Sequence, residues 1–348
     1  MSENNAPRLT VIMPAYNVQA TVEAAARSVL GQSFPNLQLI VVDDGSTDNT
    51  PAILRSLAEE DARLQVLTVP NGGPAKARNQ ALDRMDPGSK YLMFIDADDL
   101  LLPDAAEYAI RGAESGAELV IFGFAIVGID GSVRRYQEAE QLLTPETLGA
   151  SFGRLYKANL LNQVWGKLYS ADLVRRHNIR FPDYRWGEDR LFNFDCLEHI
   201  TKLQILPECK YHYLMHEGES LITRYYDRKA AVCLEIDRRV EELCWKFHVE
   251  DDADFRYMFV KSVFSCLTNL YAPSCPLSGV GRADTVRKIL DNSRVQSRSH
   301  GTAGGAPVKA LCAVLHSHSV HLTLATARSL VFTGEVAPEL FIKLKHRK

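Results

Sequence analysis

The chain has 348 residues, of which 46% are hydrophobic and 24% are charged, and its formal net charge at pH 7 is −3. This composition is that of an ordinary globular protein, and it argues against a general nucleic-acid binder, which normally carries a basic excess. The length allows one large domain with an appendage, or two domains.

The seven cysteines contain no C-x-x-C pair and no tight spacing. Neither a zinc site nor a disulfide framework is therefore indicated, and free thiols in a reducing cytosol are the simplest interpretation. The first seven residues lack the layout of a signal peptide, and no uninterrupted apolar stretch reaches membrane-spanning length. We expect a cytoplasmic protein.

Strand and helix patterns alternate through the first part of the chain. Apolar runs predict strands at 9–13, 37–42, 64–69 and 91–95, and apolar residues at helical spacing predict helices at 18–30 and 50–58. A further helix is expected to follow the glycine-rich stretch at 71–79. This alternation predicts right-handed βαβ units, a mainly parallel sheet and an α/β fold.

Polar loops follow the predicted strands, and the carboxyl ends of parallel strands are where open α/β sheets bind ligands. Tyr16 offers a ring on which a base can stack. Asp44 can accept the N–H of a uracil, or Asp43 or Asp44 can bind a ribose hydroxyl. Ordinary turn chemistry is the alternative for any single loop, because Asp-Gly and Gly-Gly are common turn formers.

The third loop combines glycines with basic residues at a predicted helix start. Gly72 and Gly73 let the backbone come close to a phosphate, and Lys76 and Arg78 supply positive charge there. Together with the other loops, this stretch is typical of a site for a nucleotide diphosphate. The chain has neither G-x-G-x-x-G nor a P-loop lysine motif, so dinucleotide oxidoreductases and P-loop NTPases have no support.

The fourth loop is acidic: Asp96, Asp98 and Asp99 directly follow the predicted strand at 91–95. Carboxylates this close repel one another unless a cation lies between them, and a hard divalent cation with oxygen ligands fits. Taken alone, the stretch could equally be a solvated acidic turn or a helix cap.

Four stretches, in family order and spacing, resemble family 2 glycosyltransferases with the GT-A fold. They are Val11-Ile-Met-Pro-Ala-Tyr-Asn17, Val42-Asp-Asp-Gly-Ser-Thr-Asp48, Asn71-Gly-Gly-Pro-Ala-Lys-Ala-Arg-Asn79 and Phe94-Ile-Asp-Ala-Asp-Asp99. The resemblance covers about residues 8–225. It implies transfer of a sugar from a nucleotide diphosphate, a UDP-sugar above all, with Asp98 as the ligand of Mn²⁺ or Mg²⁺ and Asp96 on the ribose side.

The resemblance also implies which residues bind the nucleotide sugar. They are Pro14, Ala15, Tyr16, Asn17, Asp43, Asp44, Asn71, Gly72, Lys76, Arg78, Asp96, Ala97, His216 and Ser220. The last two belong to a stretch at 211–223 that resembles the family's segment closing over the diphosphate. A surface histidine with no ligand remains an equal alternative for His216.

An acidic pair opens a predicted helix at Glu188 and Asp189. Stabilisation by the helix dipole is the purely structural interpretation. The resemblance implies that both are catalytic residues, with Asp189 as the general base that takes the proton of the acceptor hydroxyl. A positioned base typically contributes ~10²–10⁴-fold to the rate. One displacement with one base inverts the anomeric configuration, and no second carboxylate can be assigned as the nucleophile of a retaining route.

The stretch Val164-Trp-Gly-Lys-Leu-Tyr169 is similar to a W-x-K-L-Y stretch near the family's acceptor site. The resemblance implies that Trp165, together with Trp186, contacts the acceptor, which by family habit is a glycan or lipid-linked glycan of a surface polysaccharide. A buried core tryptophan is at least as compatible with position 165.

The last third is predicted to be helical at 230–247 and 255–271, polar and loop-rich at 279–305, and apolar with charged interruptions at 308–332. We therefore expect a GT-A domain at 1–225, with a nucleotide-sugar half at 8–127 and an acceptor half at 128–225, followed by a helical region at 226–348. The basic run at 340–348 could lie on anionic lipid at the inner face of the membrane, although short charge runs are more often solvated. Acceptor, membrane-surface and oligomer contacts stay open for this region.

Two other functions are weighed against sugar transfer. A nucleotidyltransferase would need a basic loop near the N-terminus, and residues 14–17 contain no Lys or Arg. A non-catalytic scaffold that binds sugar nucleotides or glycans would have no need of Asp96, Asp98 and Asp189 together.

Overall fold

In a computed structural model of the chain, the structure describes residues 8–216, 224–250, 253–300 and 305–336. Within these ranges, ten strands form one sheet. They are β1 (Leu9–Ala15), β2 (Leu37–Asp43), β3 (Leu64–Thr68), β4 (Tyr91–Phe94), β5 (Leu100–Leu101), β6 (Leu119–Val127), β7 (Val133–Tyr136), β8 (Gln141–Leu143), β9 (Lys167–Ser170) and β10 (Leu203–Leu214).

The helices of the same ranges fall into two groups. The first group is interleaved with the strands: α1 (Val22–Leu30), α2 (Thr50–Glu60), α3 (Pro74–Leu82), α4 (Ala105–Ala113), α5 (Pro145–Lys157), α6 (Ala171–Arg176) and α7 (Glu188–His199). The second group follows the sheet: α8 (Lys229–Lys246), α9 (Ala253–Asn269), α10 (Gly279–Leu290), α11 (Ser293–Ser299), α12 (Ala306–His316) and α13 (Val320–Val336).

The sheet order is β3-β2-β1-β4-β9-β6-β10-β5, with β7 paired to β6 and β8 to β10. The first four strands are parallel and are joined through α1, α2 and α3, so the predicted βαβ units and α/β class are confirmed. Beyond β4 the sheet is mixed, because β9 runs antiparallel between β4 and β6. Strand order of this kind depends on contacts distant in sequence, and the hydrophobic pattern does not encode it.

Local sequence explains the elements that carry the functional loops. All but one residue of β1 is buried, as expected for a strand covered on both faces. Helix α1 buries Val22, Ala25, Ala26 and Val29, which share one face at helical spacing. Helix α3 begins after Gly73, whose φ of 89° favours glycine, with proline in its first turn.

The described residues divide into two compact units: residues 8–151 with 158–216, and residues 152–157 with the described residues from 224 to 336. The first contains the sheet. The second is helical, and its core includes an aromatic cluster of Phe152, Phe247 and Phe255. All seven cysteines are free thiols. No helix within the described ranges is long and apolar enough to cross a bilayer.

The prediction of a loop-rich segment at 279–305 is wrong for most of its length, which forms α10 and α11. Both helices have side-chain caps, with Ser278 accepting from the Gly281 N–H and Asn292 from the N–H groups of Arg294 and Val295. Capping residues of this type resemble loop composition in sequence. The predicted single apolar segment at 308–332 is likewise two helices, α12 and α13.

Candidate functional site

The carboxyl ends of β1, β2 and β4 lie side by side at one edge of the sheet. Ala15 at the end of β1 is in register with Asp43 at the end of β2, and Ile12 is in register with Phe94 at the end of β4. Since these strands are adjacent and parallel, the loops that follow them converge. The structure therefore brings together three of the four loops that were predicted to bind a nucleotide, and the fourth follows β3 next to β2.

The loop after β1 is fixed to the loop after β2. Asn17 has a positive φ of 51°. Its N–H donates to Ser46 Oγ at 3.0 Å, and its Oδ1 accepts from the Thr47 N–H at 2.8 Å. Beside it, the Tyr16 side chain is 45% exposed, which leaves a ring face open to a ligand.

The two aspartates at the end of β2 have different surroundings. Asp44 is buried, and its two oxygens accept from the N–H groups of Gly72 and Gly73, both at 2.8 Å. The Asn71 side chain also donates to the Asp44 carbonyl at 2.9 Å. These two glycine amides, expected near a phosphate, are thus hydrogen-bonded within the protein.

Asp43 is fully buried and keeps one oxygen without a partner. Its Oδ1 accepts from the Ser46 N–H at 3.0 Å. Its Oδ2 has no hydrogen-bond partner among the residues that the structure describes. A buried carboxylate oxygen without a donor is costly, so this atom is the better candidate to accept a hydrogen bond from a ligand.

The Arg78 side chain, on α3, hydrogen-bonds both to the acidic loop after β4 and to the acidic pair at the start of α7. Its Nη2 donates to Asp96 Oδ1 at 2.8 Å, and its Nη1 donates to Asp189 Oδ1 at 2.7 Å, with Glu188 Oε1 at 3.4 Å. The guanidinium carbon lies 5.3 Å from the centre of the Phe181 ring, and only 4% of the side chain is exposed. Arg78 was predicted to bind a nucleotide phosphate, whereas in the structure it pairs with three buried acidic side chains.

The charge balance of this cluster is negative. Burial alone would lower the pKa of Arg78, but the charges of Asp189, Asp96 and Glu188 together raise it, so the guanidinium stays charged. Its Nε is buried with no hydrogen-bond partner in the described part of the chain. One guanidinium group is therefore shared as a hydrogen-bond donor by three acidic side chains.

Glu188 and Asp189 form the first turn of α7, directly after Gly187 with its φ of 83°. Burial, and then the charge of Asp189, raise the pKa of Glu188 to about 8. Burial also raises the pKa of Asp189, although the charge of Arg78 opposes this. A carboxylate whose pKa is moved toward neutrality is suited to act as a general base.

The three aspartates after β4 have separate roles. Asp99 is fully buried, with Oδ2 accepting from the Tyr211 hydroxyl at 2.5 Å and Oδ1 from the Leu214 N–H at 2.9 Å. Asp96 is held by Arg78. Asp98 is half-buried, and burial and the charge of Asp96 raise its pKa, as expected where negative charge is not fully compensated.

These residues fit a divalent cation only in part, because no group of three possible ligand side chains occurs in the described ranges. Magnesium-type sites commonly use one or two carboxylates and complete their shell with substrate phosphates and water. Asp98, with Asp96 beside it, is compatible with that type of site. The metal assignment stays a prediction.

The remaining predicted residues are placed as follows. His216 Nε2 lies 3.0 Å from the backbone oxygen of Asp98. Lys76 is half exposed and pairs with Asp183 at 3.2 Å. Trp186 is partly buried, with the Arg190 guanidinium 5.9 Å from its ring centre. Pro14, Ala15 and Ala97 lie in the converging loops. Ser220 lies outside the described residues.

Trp165 is a core residue in this structure. It is 8% exposed and stacks on Tyr211, with 4.5 Å between ring centres and an interplanar angle of 6°. Phe124 packs against it edge-on. Of the two interpretations open from the sequence, packing is the one that these contacts support.

Two sets of residues at the site were not predicted from the sequence. The link between Asp99 and Tyr211 joins residues 112 positions apart, and no local pattern indicates it. Lys167 is fully buried at the start of β9. Its signal was present in the sequence, since a lysine inside an apolar stretch requires a buried partner.

The fold has known counterparts. The crystal structure of S. aureus TarS 1–349 in complex with UDP-GlcNAc matches with a TM-score of 0.67, covering 94% of this chain and 92% of that chain at 19% identity. At that identity the likeness shows the fold, and the expected GT-A-type fold with a helical C-terminal region is confirmed.

The sequence comparisons define the family. The model for glycosyl transferase family 2 matches residues 10–178. A Bacillus subtilis protein named for teichuronic acid biosynthesis, TuaG, is 35% identical over 187 residues, which are 53% of this chain and 69% of the relative. The glycosyltransferase-type protein EpsH of the same organism is 26% identical over 63% of this chain and 64% of its own length. The chain belongs to glycosyl transferase family 2, and the expectation of a glycosyltransferase is confirmed at the level of the family.

Proposed function

We propose that this protein is a metal-dependent inverting glycosyltransferase that moves a sugar from a UDP-sugar to a hydroxyl of a glycan or lipid-linked glycan. The observation that carries the proposal is the pair of contacts made by Arg78, which holds Asp96 of the D-x-D motif and Asp189 of the acidic pair at the same time. One side chain thus places the motif expected to bind the donor diphosphate next to the expected base.

Asp189 is the proposed general base. As the acceptor oxygen attacks the anomeric carbon, its proton passes to the Asp189 carboxylate and the bond from the sugar to the diphosphate breaks. Attack on the face opposite the leaving group inverts the configuration. Glu188, whose pKa burial raises to about 8, limits the negative charge of the pair by holding a proton at neutral pH.

Asp98, with Asp96, would hold Mn²⁺ or Mg²⁺, which when bound supplies positive charge to stabilise the departing diphosphate. The nucleotide would lie along the loops after β1 and β2. Tyr16 offers its exposed ring for stacking, and the unpartnered Oδ2 of Asp43 suits the N–H of a uracil. Cytosine carries an acceptor at that ring position and would be disfavoured.

The acceptor class follows from the relatives alone. TuaG is named for teichuronic acid biosynthesis, and TarS was crystallised with UDP-GlcNAc. By analogy we infer a surface-polysaccharide acceptor, reached in the cytoplasm or at the inner face of the cell membrane. The helical region at 226–348 would supply acceptor, membrane-surface or oligomer contacts.

A thermal-shift panel tests the donor site. UDP, CDP and GDP are each added with and without Mn²⁺ to the wild type and to Asp43→Asn. A ligand at 100 times its Kd stabilises the folded state by ~2.7 kcal/mol, which is easily measured. We expect UDP with Mn²⁺ to give the largest shift, and the preference for UDP over CDP to shrink in Asp43→Asn. If no nucleotide changes the melting temperature, the donor-site assignment is wrong.

A further inference from the structure

Lys167 is a fully buried lysine at the start of β9 with no carboxylate in direct hydrogen-bond contact among the described residues. Its Nζ donates to the backbone oxygen of Gln163 at 2.5 Å and lies 3.4 Å from that of Trp165. Burial lowers the pKa of Lys167 to about 7, and the charge of Asp189 is the largest opposing influence. Keeping an ammonium group here is costly, so a compensating role is expected.

Two further buried side chains hold the same backbone segment, residues 161–165. The Asn193 side-chain amide on α7 donates to the oxygens of Leu161 at 3.0 Å and Gln163 at 2.9 Å. The Tyr169 hydroxyl lies 2.7 Å from Asn193 Oδ1 and 3.1 Å from the Val164 oxygen. Three polar side chains thus fix the carbonyls of one short segment.

The fixed segment lies against the helix that carries the base. Asn193, which binds the Leu161 and Gln163 oxygens, follows Asp189 by four residues on α7, so the two side chains lie on one face of that helix. Burial raises the pKa of Asp189, and the Val164 backbone amide and the charge of Lys167 are among the influences that lower it. The charged and polar groups that act on Asp189 include Arg78 from α3, Asp96 after β4, the Val164 amide and Lys167 on β9, and Asp189 in turn acts on its neighbour Glu188. Cys196 is the other titratable group that influences Lys167.

We propose that Lys167 is a positioning residue for Asp189: its ammonium holds the carbonyls of residues 163 and 165 against the face of α7 that carries the base, and it adds a second positive charge near the carboxylate. The inference rests on the proposed role of Asp189. It extends that role by assigning a function to a residue that touches neither donor nor acceptor in the proposed mechanism. Arg78 and Lys167 would then hold the base from two different elements, α3 and β9.

The alternative is that Lys167 serves the fold alone. Lys210 provides a matched control, since it is also a buried lysine of the same sheet, but its ammonium binds Asp104 at 2.6 Å and Glu208 at 2.8 Å. Lys167→Met and Lys210→Met each remove a buried ammonium at nearly constant volume. Only the first is expected to change Asp189.

A direct test needs no substrate. The full-length protein is labelled with ¹³C at the aspartate carboxyls and titrated by NMR, and the Asp189 signal is identified by its loss in Asp189→Asn. We expect Lys167→Met to raise the pKa of Asp189 and Lys210→Met to leave it unchanged. An unchanged Asp189 titration in Lys167→Met overturns the inference, whatever the catalytic activity of the protein.

If Lys167→Met fails to fold, Tyr169→Phe takes its place. A smaller rise in the pKa of Asp189 is expected there, because the Val164 carbonyl loses a partner while the ammonium stays.

Activity measurements separate a failure of the positioning role of Lys167 from a failure of the proposed glycosyltransferase function. Release of UDP from UDP-GlcNAc is followed against pH for the wild type and Lys167→Met. We expect an unchanged KM for the donor and a lower kcat, with the acidic limb of the kcat profile moved to higher pH. Absence of turnover in the wild type with this and other UDP-sugars counts against the proposed function. A uniform loss of kcat at all pH values in Lys167→Met, with an active wild type, counts against the positioning role.

Discussion

Replacing Arg78 by methionine is the most informative single change at this site. Methionine fills much of the same volume beside Phe181 but leaves Asp96, Glu188 and Asp189 without their shared cation. All three carboxylates are largely removed from solvent, with side-chain exposures of 31%, 11% and 19%. The variant should therefore be destabilised, and most strongly where the carboxylates of Asp96 and Asp189 are ionised.

The size of the loss follows from the contacts. The two short bonds, to Asp189 at 2.7 Å and to Asp96 at 2.8 Å, join charged groups, and such bonds contribute about 1.5–3 kcal/mol each. Removing one partner of a buried ion pair typically costs about 3–5 kcal/mol. We expect a loss of about 3–5 kcal/mol in the free energy of unfolding at pH 7.5. Proton uptake by the carboxylates reduces this loss, so it should be smaller at pH 5.

Urea denaturation followed by circular dichroism at both pH values measures the effect. Arg27→Met is the matched control, because Arg27 also contacts two carboxylates, Glu23 at 2.9 Å and Glu60 at 3.0 Å, but is 51% exposed. Exposed pairs of this kind contribute little, and no measurable loss is expected there. A loss below about 1 kcal/mol in Arg78→Met at pH 7.5, or a loss that grows on acidification, would refute the view that Arg78 neutralises this cluster.

Three other changes address the chemistry and its pH dependence. Asp189→Asn should leave UDP affinity intact by calorimetry while transfer falls by ~10²–10⁴-fold, and undiminished turnover would remove Asp189 from the mechanism. Asp98→Asn should weaken UDP binding in the presence of Mn²⁺ and leave metal-free binding unchanged; equal affinities with and without Mn²⁺ in both forms would contradict the metal assignment. Glu188 binds its proton more tightly in the folded state, with a pKa of about 8, than in the unfolded chain, so it lowers stability as the pH rises from about 4.5 to 8. Glu188→Gln should remove this contribution, which is at most about 1.4 kcal/mol per pH unit, and identical pH slopes in urea denaturation would contradict it.

The first four strands and their helices could be predicted from the sequence because each is encoded locally. The run at 91–95 corresponds to β4 at Tyr91–Phe94, and the run at 37–42 corresponds to β2 at Leu37–Asp43. The position of β9 between β4 and β6 could not be predicted, since it depends on pairings such as Leu92 with Tyr169 that are distant in the chain.

The sequence predicts which loops form the candidate site, but it does not predict which side chains in those loops contact one another. The sequence indicated that Asp44, the glycine loop and Arg78 belong to one site. It did not indicate that Asp44 is bonded to the Gly72 and Gly73 amides, or that Arg78 lies between acidic residues instead of facing solvent. A side chain's partners follow from the packing of the whole sheet, whereas motif spacing describes only the backbone that carries it.

Asp96, Asp98 and Asp99 all follow β4, but substitutions at these three positions would cause two different kinds of defect. The Tyr211 hydroxyl bonds to Asp99 and also accepts from the Asp96 N–H at 3.3 Å, so Asp99 fixes the shape of the turn that presents Asp96 and Asp98. An inactive Asp99 variant would therefore report on the geometry of the turn and carry no information about metal ligation. For a variant meant to be inactive but correctly folded, Asp189 is the better position, and Asp99 is the one to leave intact.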